Sequence, residues 1–283
     1  MTTGPARAFD FEFVLDRLAE LYHTGDWRVP YLRDHAENPF QVLIGTILSQ
    51  RTRDEATDVA SARLFAKYPD APGLARADPK TLARLIRPVN FYPTKARAIR
   101  DCAREIVARF GGEVPRSMEE LLSLPHVGPK TANCVLVFGY GLPAIPVDTH
   151  VHRIANRWGI VRTRTPEETE RRLREVVPSR YWIPLNPLLV QHGQNVCRPI
   201  GPKCGECPIA TVCATGIALT EGRAPPRPED RPRGPRSAAA RPGRGGSRPS
   251  PPRGTPSRRR TIGRRPPTRT RTPRRRRRST GSS

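Results

Sequence analysis

A candidate nucleophile and a candidate catalytic carboxylate stand 18 positions apart, each at the predicted start of a helix. Lys130 follows the turn in "LPHVGPKTANCVLV", and Asp148 opens "DTHVHRIANRWGI". The positive end of a helix dipole disfavours a second positive charge, so a lysine in the first helical turn is more readily available as a neutral, nucleophilic amine. The chain returns after one helix and a loop, which lets Asp148 face Lys130. The simpler role of Asp148 is that of an N-cap.

Four clustered cysteines predict a metal centre. Their spacing is C-x6-C-x2-C-x5-C within 17 residues, and they are Cys197, Cys204, Cys207 and Cys213. Thiolates this close in sequence are able to surround one metal centre, and zinc is the general expectation for four of them. The other two cysteines, Cys102 and Cys134, lie in apolar helical patterns and are expected to be buried, inert thiols.

The elements that position these residues are predicted to be helices, which makes the fold class all-α. Apolar residues recur at helical spacing in "FEFVLDRLAELY" and "TKARAIRDCAREIVARF", and "PFQVLIGTILSQ" is apolar almost throughout. Ser and Thr N-caps followed by acidic residues begin "SMEELLSL" and "TPEETERRLREVV". No alternating stretch flanked by hairpin turns competes with these signals.

The stretch around Lys130 is interpreted as a helix, a tight turn and a second helix. Gly128 is expected to adopt a positive φ in the turn, and Pro129 suits the first turn of the next helix, where a missing N–H has no intrahelical partner to lose. Free backbone N–H groups at such a turn form an anion site that holds a phosphate whatever the base sequence. An ordinary corner between two helices is the alternative.

The charge of the chain indicates a polyanionic partner. Of the net charge of +24 on 283 residues, residues 221–283 carry +18, from 21 arginines against three acidic residues. That segment has 13 prolines and Ile262 as its only large aliphatic residue, so we expect a disordered basic tail. The tail either binds nucleic acid weakly or is a solubilising extension. With no apolar run that spans a bilayer and no signal peptide, a cytoplasmic, nucleoid-associated protein is expected.

The segment "LPHVGPKTANCVLVFGYGLPAIPVDTHVHRIANRWG" resembles the helix-hairpin-helix and Gly/Pro–Asp loop of the endonuclease III family of DNA glycosylases. In this resemblance Lys130 matches the nucleophile and Asp148 matches its acid/base partner. The cysteine spacing and the preceding "QHGQNVC" are similar to the family's iron–sulfur loop. The resemblance therefore implies a [4Fe–4S] cluster on the four cysteines rather than zinc. It covers roughly residues 10–215 of the chain.

The resemblance also implies two segments that enter the DNA stack. "TILSQRTRD" is similar to the family segment that fills the gap left by an extruded base, with Arg51 where the family usually has glutamine and Gln50 beside it. "VNFYPTKARAI" is similar to a second wedge, in which Phe91 inserts into the stack and Tyr92 follows. The alternative for Phe91 is a loop residue folded back onto the core.

The remaining predicted DNA contacts lie in the hairpin and beside the two candidate centres. In the hairpin they are His126, Val127 and Gly128, with His126 where the family usually has glycine. His150 either lines the catalytic site or packs beneath it. Arg198, inside the cysteine loop, either contacts a phosphate or is a solvated surface charge.

The family implies two α-helical domains with DNA in the cleft between them. The predicted limits are 30–143 for a helical barrel with the hairpin at about 116–139, 1–29 with 144–215 for the cluster domain, and 216–283 for the tail. The implied function is that of a base-excision-repair DNA glycosylase and AP lyase. Its implied substrate is double-stranded DNA with damaged bases, oxidised pyrimidines above all, or abasic sites, on which it acts as a monomer. The alternatives are a glycosylase without lyase activity or specific for mismatches, and a non-catalytic binder of DNA structure.

Overall fold

The structure is a computed structural model that describes residues 9–23 and 38–224. Every regular element in these two ranges is helical, which confirms the predicted all-α class. None of the helices described is long and apolar enough to cross a membrane. The basic tail predicted from the sequence lies outside the described residues beyond position 224.

Twelve α-helices follow one another along the described chain. They are α1 (Phe11–His23), α2 (Pro39–Ser49), α3 (Asp54–Lys67), α4 (Ala71–Ala75), α5 (Pro79–Leu85), α6 (Tyr92–Phe110), α7 (Met118–Ser123), α8 (Pro129–Cys134), α9 (Thr149–Trp158), α10 (Pro166–Val176), α11 (Trp182–Asn195) and α12 (Ala214–Thr220). A π-helical turn, Val135–Gly139, continues α8. One 3₁₀ turn, Ser179–Tyr181, precedes α11, and a second, Cys204–Glu206, lies within the cysteine loop.

Caps that are visible in the sequence fix the limits of most of these helices. Seven helices begin with a side-chain oxygen that accepts a backbone N–H of the first turn, and these caps are Asp10, Asn38, Asp70, Asp78, Ser117, Asp148 and Thr165. Such a cap satisfies one of the N–H groups that have no intrahelical partner. At the other end, α6 and α9 stop at Gly111 (φ 64°) and Gly159 (φ 87°), where glycine adopts the left-handed backbone without a steric penalty.

Helix α2 forms the centre of a first hydrophobic cluster. Eight of its 11 residues are buried, and Leu43 and Ile44 have no exposed surface. It packs against α3, α6, α8 and the π-helical turn, so its apolar sequence is surrounded on all sides. Burial of one such side chain contributes about 1.5–3 kcal/mol. The cluster draws its residues from positions 40–144.

A second hydrophobic cluster combines α1 with the later helices. Leu18 of α1, Trp158 of α9 and Leu189 of α11 are among its buried residues, and the remainder come from positions 14–22 and 145–213. Helix α1 and helix α9 both pack on α11, which therefore lies at the middle of this cluster. We propose that the two clusters correspond to the two predicted domains.

The two clusters are joined by hydrogen bonds between polar side chains. Gln194 Nε2 donates to Asp54 Oδ2 at 3.1 Å, and Arg174 donates to Asn133 Oδ1 at 3.1 Å. Asp54 is the first residue of α3, so this bond ties α3 to α11. The described fold continues through α12 to Thr220, so the predicted start of the tail at residue 216 is too early.

Candidate active site and DNA interface

The hairpin between α7 and α8 reverses the chain at His126. His126 has φ 65°, and the N–H of Val127 donates to the carbonyl of Leu124 at 3.4 Å. Gly128 has φ −103° and ψ 178°, an extended backbone open to any residue, so the prediction of a positive φ there is wrong. The left-handed turn is completed two residues earlier, and a Cβ added to Gly128 would meet nothing within 4 Å.

A consequence for stability follows from the backbone of His126. A left-handed conformation costs a non-glycine residue about 1–2 kcal/mol, and a β-branched side chain tolerates it least. We expect His126→Val to lower the free energy of unfolding by about 1 kcal/mol, whereas the control His126→Asn stays near the wild-type value. Urea titrations of the three proteins measure the difference. Because His126 is exposed, lost packing does not account for the result. Equal midpoints would show that the turn is not strained.

Backbone N–H groups at the start of α8 are free to bind an anion. Among the described residues, the N–H groups of Gly128, Lys130 and Thr131 have no hydrogen-bond acceptor. Gly128 and Lys130 are exposed, whereas Thr131 is buried. A phosphate is the kind of group that such an arrangement accommodates, because the helix dipole and the N–H groups both favour negative charge.

Lys130 and Asp148 both act electrostatically on one buried thiol, that of Cys134. Lys130 is exposed one helical turn before Cys134, and Asp148 is half-buried at the start of α9. Burial raises the pKa of Cys134 to about 11, the Lys130 ammonium lowers it, and the Asp148 carboxylate raises it. Both charges therefore act at the same sulfur. Within the described part of the chain, they form no ion pair with each other, which leaves both available to a substrate.

Asp148 caps helix α9 with only one of its two carboxylate oxygens. Its Oδ1 accepts the N–H groups of His150 at 2.9 Å and Val151 at 2.8 Å. Its Oδ2 has no partner among the described residues. Two backbone bonds thus fix the direction of the carboxylate, while one oxygen can still receive a proton or face a positive charge.

His150 packs against α11 beside the carboxylate. Its Nδ1 lies 3.1 Å from a guanidinium nitrogen of Arg153, and a Cβ on Gly193 would come within 2.3 Å of that Nδ1. Burial lowers the pKa of His150, Asp148 raises it, and Arg153 lowers it. Arg153 also donates to the carbonyl of Cys197 at 2.9 Å. Nothing in the sequence marked Arg153, yet it joins the helix that carries Asp148 to the cysteine loop.

The two predicted wedge segments lie in exposed loops with strained backbones. Arg51 (φ 54°) and Phe91 (φ 57°) are left-handed, and with His126 they are the only non-glycine residues of positive φ in the described ranges. Phe91 is 62% exposed, so it is not folded onto the core, whereas Tyr92 is half-buried against the first cluster. Gln50 is exposed beside Arg51. Non-glycine residues in this conformation concentrate at functional sites.

The four predicted metal ligands line one cavity. Cys197, Cys204, Cys207 and Cys213 contribute to its wall together with apolar residues that include Trp158 and Ile209. The cavity is partly open to solvent. Within the described residues, no three His, Cys, Asp or Glu side chains converge closely enough to hold a single metal ion.

Residues around the cavity fit a group bound through thiolates. Burial raises the pKa of Cys207 to about 11, so a positive centre is needed to hold that sulfur as a thiolate at neutral pH. Arg157 donates to Cys197 Sγ at 3.3 Å and to the carbonyl of Arg198 at 2.6 Å, which places positive charge beside the sulfurs. The side chain of Arg198 itself is exposed. The donor set and the cavity suit an iron–sulfur cluster.

A second contact to the cysteine sulfurs begins at helix α1. The hydroxyl of Tyr22 lies 2.8 Å from His192 Nδ1, and His192 Nε2 lies 3.6 Å from Cys207 Sγ. Burial lowers the pKa of His192 to about 4, so the imidazole is neutral and has a single N–H. When Nδ1 accepts a hydrogen bond from the Tyr22 hydroxyl, the single N–H is on Nε2 and faces Cys207 Sγ. Helix α1 thus contacts the wall of the cysteine cavity.

Comparisons with known proteins agree with this arrangement. A family model described as "HhH-GPD superfamily base excision DNA repair protein" matches residues 44–179. Endonuclease III of Thermotoga maritima is 50% identical over 182 residues, which are 64% of this chain and 85% of that protein. Endonuclease III of Synechocystis is 40% identical over 183 residues, 64% of this chain and 84% of that protein.

Solved structures give the same result. The structure of a trapped endonuclease III–DNA covalent intermediate has a TM-score of 0.65 and 32% identity, and the match covers 74% of this chain and 96% of that chain. A thermostable thymine-DNA glycosylase shares the fold, with a TM-score of 0.63 and 23% identity, over 72% of this chain and 94% of that chain. The chain therefore belongs to the endonuclease III family. The predicted activity, that of a base-excision-repair DNA glycosylase and AP lyase, is confirmed at this level.

Proposed function

We propose that Lys130 is the nucleophile and Asp148 the acid/base partner of this DNA glycosylase and AP lyase. The observation that carries the proposal is that an exposed Lys130 at the start of α8 and a half-buried Asp148 at the start of α9 form no ion pair with each other, while both charges shift the pKa of the same thiol, that of Cys134. An exposed amine can reach C1′ of a nucleotide that has left the base stack, which a stacked nucleotide does not permit. Asp148 Oδ2, which has no described partner, accepts the lysine proton or stabilises positive charge on the sugar.

The proposed reaction proceeds in two stages. In the first, the Lys130 nitrogen forms a bond to C1′, the bond from C1′ to the base breaks, and the base leaves with the electron pair and takes up a proton. In the second, opening of the sugar ring gives a Schiff base, which makes the C2′ proton acidic. Loss of that proton breaks the C3′–O bond and cuts the strand 3′ to the site. Water then hydrolyses the Schiff base and restores the amine.

DNA is held by two kinds of contact in this proposal. The N–H groups at the start of α8, with His126, Val127 and Gly128 around them, bind a backbone phosphate without regard to base sequence. Arg51 and Phe91 enter the duplex from their exposed loops, Arg51 toward the base left unpaired and Phe91 into the stack. Gln50, Tyr92, His150 and Arg198 are proposed as flanking contacts.

The four cysteines are proposed to hold a [4Fe–4S] cluster with a structural role. A bound cluster supplies a positive centre that keeps four thiolates charged and closes the loop from Cys197 to Cys213. Arg157 of α9 and His192 of α11 each lie next to one of these sulfurs. The residues that act on DNA in this proposal lie elsewhere, apart from Arg198.

The partner is double-stranded DNA, and we propose oxidised pyrimidines and abasic sites as the substrates of a monomeric enzyme. Its place of action is then the nucleoid, since that is where such DNA is found. A glycosylase without lyase activity needs no amine at position 130, and a non-catalytic DNA binder needs neither the amine nor the carboxylate. The pairing of Lys130 with Asp148 therefore favours the bifunctional enzyme.

A strand-cleavage assay tests this function directly. Purified protein is incubated with duplexes that contain one abasic site, one oxidised pyrimidine, one mismatched thymine or no lesion. We expect cleavage 3′ to the abasic site and to the oxidised pyrimidine, and no reaction with intact duplex. Base release without strand cleavage would indicate the monofunctional alternative. Binding to all duplexes without any product would indicate the non-catalytic one.

A further inference from the structure

A buried lysine lies beneath the two loops proposed to enter DNA. Lys95 of α6 is 7% exposed, and its Nζ donates to the carbonyls of Leu48 and Gln50 at 2.6 Å each and to Thr52 Oγ1 at 2.8 Å. Burial lowers the pKa of Lys95 to about 8. In the described residues, no carboxylate forms an ion pair with it. Each of its three N–H bonds nevertheless has an oxygen acceptor.

The acceptors show what this ammonium does. The carbonyls of Leu48 and Gln50 belong to the end of α2, where the last carbonyls have no intrahelical N–H and the helix dipole is negative. Lys95 therefore caps α2 from another helix, more than 40 positions away in sequence. The loop that leaves α2, Gln50 to Thr52, is fixed by the same three bonds.

The second loop is bonded to the first. Asn90 Nδ2 donates to the carbonyl of Arg51 at 2.6 Å, and the N–H of Asn90 donates to Thr52 Oγ1 at 3.2 Å. Asn90 directly precedes Phe91 in the chain. The backbones of Arg51 and Phe91 are thus separated by one asparagine side chain, and Thr52 Oγ1 accepts from both Lys95 and Asn90.

Strained backbones on both loops require such support. Arg51 (φ 54°) and Phe91 (φ 57°) are held in a conformation that non-glycine residues avoid, and it persists only where the surroundings determine it. The bonds from Lys95 and Asn90 hold residues 48–52 around Arg51, and the carbonyl of Phe91 accepts the backbone N–H groups of Thr94 and Lys95 at 3.0 Å each. With these bonds the two side chains point outward from a shared, rigid base.

We propose that Lys95 is a positioning residue that holds the Arg51 and Phe91 loops as one unit, so that both side chains enter the duplex together. Lys95 does not contact DNA itself, because it is buried. This inference rests on the proposed function, in which Arg51 meets the unpaired base and Phe91 fills the stack. The effect is greatest for a damaged base that must be extruded, and smallest for an abasic site, where no base has to leave the stack.

Lys95→Met tests the proposal, since methionine fills the same space and donates no hydrogen bond. We expect excision of an oxidised pyrimidine, measured as kcat/KM, to fall at least about tenfold, because a misplacement of about 1 Å is enough for a loss of this size. Cleavage of abasic DNA at saturating concentration should stay within about twofold of wild type. Lys80→Met, at an exposed lysine of α5, is the matched control and should change neither rate.

Asn90→Ala is the second variant and does not put folding at risk, because Asn90 is exposed. It should reproduce the selective loss of base excision. A mutant cycle gives the decisive readout: because Lys95 acts through both wedge residues, adding Lys95→Met to the Arg51→Ala, Phe91→Ala variant should slow that variant no further. The fluorescence of 2-aminopurine placed beside the lesion rises when the stack opens. This rise should be smaller with Lys95→Met and with Asn90→Ala than with the wild-type protein.

Three outcomes overturn the proposal and differ in what else they affect. Equal losses on damaged and abasic DNA, or additive effects in the cycle, would reduce Lys95 to a residue of general stability and leave the proposed function intact. Wild-type excision by Arg51→Ala and Phe91→Ala would overturn the wedge assignment as well. Absence of strand cleavage by the wild-type protein would overturn the proposed function itself.

Discussion

We expect Lys130→Gln to lose strand cleavage at abasic sites while it keeps its affinity for abasic DNA. Glutamine preserves most of the length and the polarity of the side chain but has no nucleophilic amine. Lys130 is exposed, so its replacement leaves packing and the N–H groups at the start of α8 unchanged. Removal of a covalent nucleophile alone lowers the rate on the order of 10⁴-fold or more. The expected result is a bound, unreactive complex.

Two measurements separate binding from chemistry in this variant. Fluorescence anisotropy with an abasic duplex reports binding, and sodium borohydride traps the Schiff base as a stable protein–DNA adduct. We expect binding close to that of wild type and no adduct. The matched control is Lys80→Gln, which removes an exposed lysine from α5 and should be trapped normally. The chain has only five lysines, so an alternative nucleophile could be located by mapping the adduct.

Asp148→Asn tests the role of the carboxylate in the mechanism. Asparagine is as good an N-cap as aspartate, so the bonds to the N–H groups of His150 and Val151 survive and stability changes little. The variant should bind abasic DNA and react slowly, because the amide neither accepts the lysine proton nor offsets a positive charge.

If Lys130→Gln is still trapped and cleaves at the wild-type rate, a different amine is the nucleophile.

Local sequence signals predicted several of the helices and where some of them begin. Periodicity predicted the buried α2, and Ser117, Asp148 and Thr165 predicted where three helices begin, because capping is a local interaction between residues three positions apart or fewer. The turn conformation was not predictable in the same way. Gly128 looked like the left-handed residue, yet His126 adopts that backbone, since the geometry of a short turn depends on both flanking helices.

Contacts between distant segments were the part that the sequence did not reveal. Lys95 stands in "TKARAIR", where a lysine is ordinarily on the solvent face of an amphipathic helix, and it is buried only because the end of α2 lies over it. Arg153 and Arg157 look like surface charges of α9 and instead bond to the start of the cysteine loop. Such pairings depend on how helices are packed, and single-sequence periodicity contains no signal for them.

The second large effect is expected at the cysteines. The loop from Cys197 to Cys213 contains Ile209 as its only large apolar side chain that is fully buried, and Ile200 is 92% exposed. A loop with so little apolar burial does not offset its own ordering entropy, so we expect a bound metal centre to supply the missing stabilisation. We expect aerobically purified protein to be yellow-brown and to contain about four iron atoms per chain, the number in a cubane cluster.

Cys204→Ser should remove most of this iron and reduce the yield of folded protein severalfold, because binding of the group is coupled to folding of the loop. The comparison variant is Cys102→Ala, which alters a buried thiol of the first hydrophobic cluster and should keep its full iron content despite some loss of stability. Iron and zinc analysis with visible absorption near 400 nm distinguishes the two variants without reference to enzyme activity. Stoichiometric zinc and no iron in the wild-type protein would contradict the cluster and restore the single-ion alternative for these four cysteines.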